Sequence, residues 1–277
     1  MKIAVSGKGG AGKTTLAAGL SLAFAGSGCP VYAVDADPDA NLGLALGFSE
    51  ESLLNLRPLV ELEGVIRERV GEGAFFRVGP EVDDLLDAYS ARQGDIGDIR
   101  LLRMGAVKKA GTACYCRENA FLSSLMNSLL LKRREVAILD MSAGIEHLTR
   151  GTARGVDIML IVVEPTAASL RTGRIVERLA LDLGIARTAF VANKIKGAED
   201  LKTIRDHIDP GGGGGDNRLL GVLPFDDDVR RGEPVASVAR DSRLFSEFQR
   251  ILERVKAGSG ARVGAGSEDR DGKGKKG

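Results

Sequence analysis

The chain has no tryptophan, 4% aromatic residues, three cysteines and two histidines among its 277 residues. So few aromatics exclude a stacking platform for single-stranded nucleic acid. Three cysteines are too few for a disulfide scaffold, and thiols that stay reduced are available as metal ligands. No apolar run approaches the ~20 residues that a membrane span requires. An excess of charge of one sign is also missing: 39 Lys and Arg balance 38 Asp and Glu, for a formal net charge of +1. No global basic field exists to hold nucleic acid, and none is expected as a partner. Met1-Lys2-Ile3-Ala4-Val5 runs directly into a glycine-rich motif. A secretory leader would place a cleavable apolar segment there, so a cytoplasmic protein is expected.

What is present is 43% hydrophobic residues and 37 glycines. At about 150 residues per domain, the length suits one large α/β domain or two small ones. Lys2–Val5 reads as a buried strand, Leu16–Phe24 as a helix and Val31–Val34 as a second strand ending in Asp35. Strand, helix and strand at this spacing form a parallel βαβ unit. Further unbroken apolar runs end at Asp140, Glu164, Asn193 and Pro224. Runs without alternation suit strands covered by helices on both faces. Helical patterns lie over Asn119–Leu131, Arg171–Leu183 and Leu244–Val255. The expected fold is therefore a doubly wound, mostly parallel α/β sheet flanked by helices, with its ligand edge at the strand ends. Residues 1–256 read as one domain, with 50–100 as a candidate insertion over the ligand edge. Gly211–Gly215 reads as a surface loop. One residue in three of 257–277 is glycine and almost none is bulky, so this tail is expected to be disordered.

Gly7-Lys8-Gly9-Gly10-Ala11-Gly12-Lys13-Thr14 matches G-x-x-x-x-G-K-[ST] between a strand and a helix. The glycines let successive N–H groups curl around an anion, and the helix N-terminus adds partial positive charge. These eight residues, with Thr15, are the expected nucleotide-binding loop. Lys13 reaches the β- and γ-phosphates, and the Thr14 hydroxyl ligates Mg²⁺. Lys8, just after the first glycine, gives the loop the form KGGxGKT. It resembles the deviant Walker A loop of the family of the nitrogenase iron protein, the MinD and ParA ATPases and metal-cluster carriers. That resemblance implies that Lys8 crosses a dimer interface to the partner's nucleotide, as an arginine finger does in trans. Asp35-Ala36-Asp37-Pro38-Asp39 resembles the family's switch I. Asp37 is the expected water-positioning residue, with Asp39 as its competitor and Asp35 in the outer shell of the metal. Asp140-Met141-Ser142-Ala143-Gly144 resembles Walker B and switch II, with Asp140 on Mg²⁺ directly or through water. Asn193-Lys194 resembles the adenine-contacting segment, and Pro224 the loop that packs on the base.

Cys114-Tyr115-Cys116 precedes the helical pattern at Asn119. Two thiols cannot complete a four-donor site, but a twofold dimer doubles them. A helix N-terminus favours the thiolate form that binds metal. Together with Gly105-Ala106-Val107-Lys108-Lys109 and Asp140-Met141-Ser142-Ala143-Gly144-Ile145-Glu146-His147, this segment resembles the CooC-type ATPases of carbon monoxide dehydrogenase maturation. The resemblance spans Met1 to about Phe225. Ser142 departs from it, standing where that branch carries an acid. It implies an ATP- and metal-dependent homodimer that binds Ni²⁺ or Zn²⁺ through Cys114 and Cys116. The implied client is carbon monoxide dehydrogenase or acetyl-CoA synthase. Two other readings share the fold. One is a MinD- or ParA-type positioning ATPase, for which Leu244–Leu252 would be a membrane helix; that segment is read here as packed on the sheet, without membrane insertion. The other is an iron–sulfur carrier, since four interfacial thiolates also suit a [4Fe–4S] cluster.

Overall fold

The computed structural model of the chain describes residues 1–71, 81–92, 95, 97–105, 124, 135–142, 155–209 and 218–260. Its strands are β1 (Lys2–Gly7), β2 (Val31–Ala36), β3 (Ala91–Arg92), β4 (Ile99–Arg103), β5 (Val136–Met141), β6 (Ile158–Val163), β7 (Thr188–Ile195) and β8 (Leu219–Pro224). They form one sheet in the order β3-β4-β2-β5-β1-β6-β7-β8. Every neighbour pair is parallel except β3 with β4 at the edge. The helices among the described residues are α1 (Lys13–Gly26), α2 (Leu42–Ala45), α3 (Glu50–Asn55), α4 (Glu63–Val70), α5 (Asp83–Ala88), α6 (Ala167–Asp182), α7 (Ala198–Ile208), α8 (Asp227–Arg231) and α9 (Arg243–Gly260).

Both faces of the sheet are buried, which is why β2, β5 and β6 are apolar at nearly every position. On one face Val34, Leu139 and Ile161 pack with Leu170 and Val176 of α6 and Ile204 of α7. On the other face Ile3, Val5, Ile138 and Leu160 pack with Leu16 and Leu20 of α1 and Phe248 and Ile251 of α9. The latter layer is tight. A Cβ at Gly19 of α1 would lie 2.4 Å from the Phe248 ring, and one at Gly221 of β8 would lie 2.3 Å from Ile251 Cγ1. Glycine at these two places lets α9 sit down on α1 and β8 together. The apolar face of Leu244–Leu252 is thus used inside the molecule: Leu244, Phe245, Phe248, Ile251 and Leu252 are all buried. Phe248→Ala should cost about 3–5 kcal/mol of stability by opening a cavity here. Urea unfolding measures it, and a loss under about 1 kcal/mol would mean that α9 is not anchored in this way.

The structure extends the sequence reading in one region. Within 50–100, read as a candidate insertion, the chain forms α3, α4, α5, β3 and the first two residues of β4. Leu59, Leu62, Ile66, Val70, Leu85 and Leu86 of this stretch join the same core as β2 and α6. The strand β4 escapes an apolar-run reading because Arg100 and Arg103 interrupt it. Arg100 is accommodated at the strand's entry end. Its guanidinium lies 5.0 Å over the Tyr32 ring, with Asp87 at 3.3 Å and Glu135 at 3.5 Å. The helical pattern over 119–131 lies outside the described residues apart from Ser124. At the other end α9 continues to Gly260, beyond Ala257 where the tail was expected to start, and residues 261–277 lie outside the described set.

Candidate nucleotide site

The site lies at the C-terminal edge of the sheet, where β1 turns into α1. Gly7, Gly10 and Gly12 carry positive φ angles of 146°, 77° and 99°, a conformation that other residues resist. Gly12 precedes α1 with no side-chain cap, and the first turn holds no acid. The first N–H groups of this 14-residue helix are therefore available to an anion. A Cβ at Gly12 would lie 2.0 Å from Asn193 Nδ2, so the loop and the end of β7 are in direct contact. Inside the loop Ala11 N–H donates to the Lys8 carbonyl at 3.1 Å. The Lys13 ammonium points back to the same carbonyl at 3.5 Å, and Lys13 is only 6% exposed. Lys8 is half-exposed, and no acid among the described residues pairs with its ammonium.

Beneath the loop, Thr14 Oγ1 donates to Asp140 Oδ2 at 2.7 Å. Asp140 stands on β5 in register with Asp35 on β2, which places two buried carboxylates side by side. Asp35 has both oxygens engaged: Oδ1 accepts from Asp37 N at 3.2 Å and Oδ2 from Leu42 N at 2.9 Å. It pins the two ends of the switch loop. Asp37 in turn accepts from Asp39 N at 3.1 Å. Asp37 is half-buried and Asp39 exposed, which sets Asp37 nearer the loop's inner side.

Asp140 Oδ1 is buried without a partner among the described residues. An orphaned carboxylate oxygen beside a threonine hydroxyl is an all-oxygen donor set of the kind Mg²⁺ takes, so the residues present fit that ion. Without it the two acids are strained electrostatically. Burial, with the charges of Asp35 and Asp37 adding to it, pushes Asp140 up to about 7 against the opposing effects of Thr14 and Lys13. Burial likewise pushes Asp35 up to about 6. Both lie above the ordinary value near ~4. Between those limits the folded protein holds more protons than the unfolded one, so its stability falls as pH rises. The nucleotide- and metal-free protein should therefore melt lower at pH 8 than at pH 5, and Asp140→Asn should remove much of that difference. A melting temperature that rises between pH 5 and pH 8 would contradict the arrangement.

The remaining predicted residues meet on the other side of the loop. Gly10, Gly12, Thr15, Asn193, Lys194 and Pro224 line one cleft of about 280 Å³, together with Phe225 and Asp226. Asn193 makes its hydrogen bonds within the protein here. Its Nδ2 donates to the Ala11 carbonyl and its Oδ1 accepts from Lys194 N, both at 2.8 Å. The amide is directed at the loop. Cys114, Cys116, Gly144 and His147 lie outside the described residues. One acid of the site had no motif to announce it: Glu164, just after β6, which binds Lys194 at 2.8 Å. Its only signal in the sequence is a carboxylate at a strand end.

A glycine-rich loop from the central strand into a helix, a threonine paired with a strand-end aspartate, and a parallel sheet around them define a P-loop ATPase. Residues 2–235 match the CobQ/CobB/MinD/ParA nucleotide binding domain. The chain belongs to that family, and within it to the branch of CooC-type ATPases. It is 42% identical over 265 residues to the carbon monoxide dehydrogenase accessory protein CooC of Rhodospirillum rubrum, covering 92% of this chain and 97% of the relative. It is 40% identical over 261 residues to an uncharacterized ATP-binding protein of Methanocaldococcus jannaschii, covering 92% of this chain and 97% of that protein. In fold it is similar to the MinD cell division protein of Aquifex aeolicus, with a TM-score of 0.64 and 22% identity over 92% of this chain and 96% of the other. A septum site-determining MinD of Pyrococcus horikoshii, solved with Mg-ADP, gives a TM-score of 0.63 at 22% identity over 94% and 98% of the two chains.

Proposed function

We propose that this ATPase is a metallochaperone that dimerises around ATP and carries nickel, or zinc as a structural stand-in, to carbon monoxide dehydrogenase or acetyl-CoA synthase. The observation that carries the reading is the end-to-end similarity to a carbon monoxide dehydrogenase accessory protein. The Cys114-Tyr115-Cys116 segment supports it by supplying two thiols per chain. Residues 1–256 are read as the ATPase unit and 257–277 as a glycine-rich extension. No helix among the described residues is long and apolar enough to cross a membrane. The burial of the apolar face of α9 speaks against the membrane-helix use that the MinD-type reading would make of it. A cytoplasmic setting and reduced thiols suit the metal reading.

ATP occupies the loop with its phosphates on the N–H groups of the loop and α1, and with Lys13 on the β- and γ-phosphates. Thr14 and Asp140 would hold Mg²⁺, which neutralises phosphate charge when bound. Asp37 orients a water, whose oxygen attacks the γ-phosphorus as the bond to ADP breaks, giving ADP and phosphate. Lys8 of each protomer reaches the other's nucleotide, so turnover needs both. Closure brings the two cysteine pairs to the twofold axis, where four thiolates enclose the ion. Four sulfurs accept tetrahedral Zn²⁺ or square-planar Ni²⁺ alike. Hydrolysis loosens the clamp and releases the ion.

Gel filtration with and without ATP and Ni²⁺ tests the reading. The dimer should dominate only with both ligands, and the Cys114→Ala/Cys116→Ala protein should lose the contribution of the metal. A monomer under every condition would contradict it. A brown absorbance after anaerobic purification would favour the iron–sulfur carrier instead.

A further inference from the structure

Lys194 is one of two non-glycine residues with positive φ among the described residues, at 61°. Surroundings must hold a side-chain-bearing residue in that conformation, and such residues gather where a constraint is functional. Here the twist turns the Lys194 side chain toward the phosphate loop. Its ammonium donates to the Gly10 carbonyl at 2.6 Å and to Glu164 Oε2 at 2.8 Å. With Asn193 on the Ala11 carbonyl at 2.8 Å, two consecutive carbonyls of the loop are held from outside. A trans peptide sets its N–H opposite its C=O. Holding Ala11 outward therefore turns the Gly12 N–H into the anion cradle. Holding Gly10 outward leaves the Ala11 N–H on the Lys8 carbonyl at 3.1 Å, which closes the turn.

Glu164 is itself fixed. Its side chain is 16% exposed against 42% for Lys194. It stands one residue beyond β6, where Thr166 caps α6 by accepting from Ser169 N at 3.3 Å. Glu164 N donates to Ser169 Oγ at 3.1 Å, and Thr166 Oγ1 approaches Glu164 Oε1 at 3.5 Å. The positive end of this 16-residue helix attracts the carboxylate charge. A rigid carboxylate, a lysine and a loop carbonyl thus form one line from α6 to the phosphate site.

We infer that Glu164 is a positioning residue of the ATP site: it holds the Lys194 ammonium on the Gly10 carbonyl and so keeps the loop shaped for phosphates before nucleotide arrives. The inference rests on the ATPase alone and not on the metal. The full-length protein is tested for ADP binding, for KM and kcat with ATP, and for melting without nucleotide. The proteins compared are wild type, Glu164→Ala, Glu164→Gln, Lys194→Met and the Glu164→Ala/Lys194→Met double variant. Loss of a charge-assisted hydrogen bond at a half-exposed site should weaken ADP binding about tenfold in Glu164→Ala, and about threefold in Glu164→Gln, whose amide oxygen still accepts. KM should change more than kcat. The double variant should bind ADP no more weakly than Lys194→Met, since Glu164 acts through that lysine. Wild-type ADP affinity in Glu164→Ala would overturn the inference, as would single losses that multiply in the double variant. A lowered melting temperature with unchanged ADP affinity would overturn it too, by making Glu164 merely structural.

Discussion

Replacing Lys13 with methionine should lower kcat/KM for ATP by roughly a hundred- to a thousandfold, the usual loss when a preorganised donor is removed from developing phosphate charge. The side chain is 6% exposed and its ammonium rests 3.5 Å from the Lys8 carbonyl, already folded over the loop. Methionine keeps most of the volume and removes the charge, so the change isolates electrostatics from packing. It also removes the cation that partly compensates the buried Asp140. A steady-state phosphate-release assay reads the effect, with circular dichroism to check the fold. Turnover within about tenfold of wild type would mean that the phosphates are held elsewhere.

Removing both Cys114 and Cys116 should have the second large effect, and on a different quantity. If the ion is enclosed by two thiolates from each subunit, the double alanine variant loses every protein ligand to it. Structural thiolate sites are worth on the order of 10 kcal/mol at neutral pH, so metal affinity should fall by at least about a thousandfold. Equilibrium dialysis against Ni²⁺ or Zn²⁺ in the presence of ATP measures this, with about one ion per dimer expected for wild type. Affinity within about tenfold of wild type would put the metal elsewhere. Among the described residues no group of three or more His, Cys, Asp or Glu offers an alternative site.

Much of the architecture was readable because burial on both faces leaves a plain trace. The strands β2, β5 and β6 are apolar nearly throughout and each carries or leads directly into an acid of the site, while β1 ends at the first glycine of the loop. The strand β4 was hidden for a physical reason: Arg100 stays in the sheet by stacking on Tyr32 and pairing with Asp87 and Glu135, contacts made by residues far away in the chain. The helices α3, α4 and α5 are short, at 6, 8 and 6 residues, and give weak periodic signals. In the site, the loop residues follow from a motif whose spacing is set by phosphate geometry. The pairing of Thr14 with Asp140 across 126 positions needed only the strand order. Glu164 was not legible as a site residue. Its importance depends on the left-handed turn at Lys194, and no local pattern encodes which carbonyl a lysine will find.

The central claim is that the nucleotide and the ion are held by one closure. Binding free energies then demand reciprocity: each ligand must tighten the other by the same factor. Calorimetric titration of Ni²⁺ into the protein with and without a non-hydrolysable ATP analogue, and of the analogue with and without Ni²⁺, measures both factors. The account predicts equal enhancements, of about tenfold or more, in wild type and none in the Cys114→Ala/Cys116→Ala protein. Two affinities that ignore each other would contradict it.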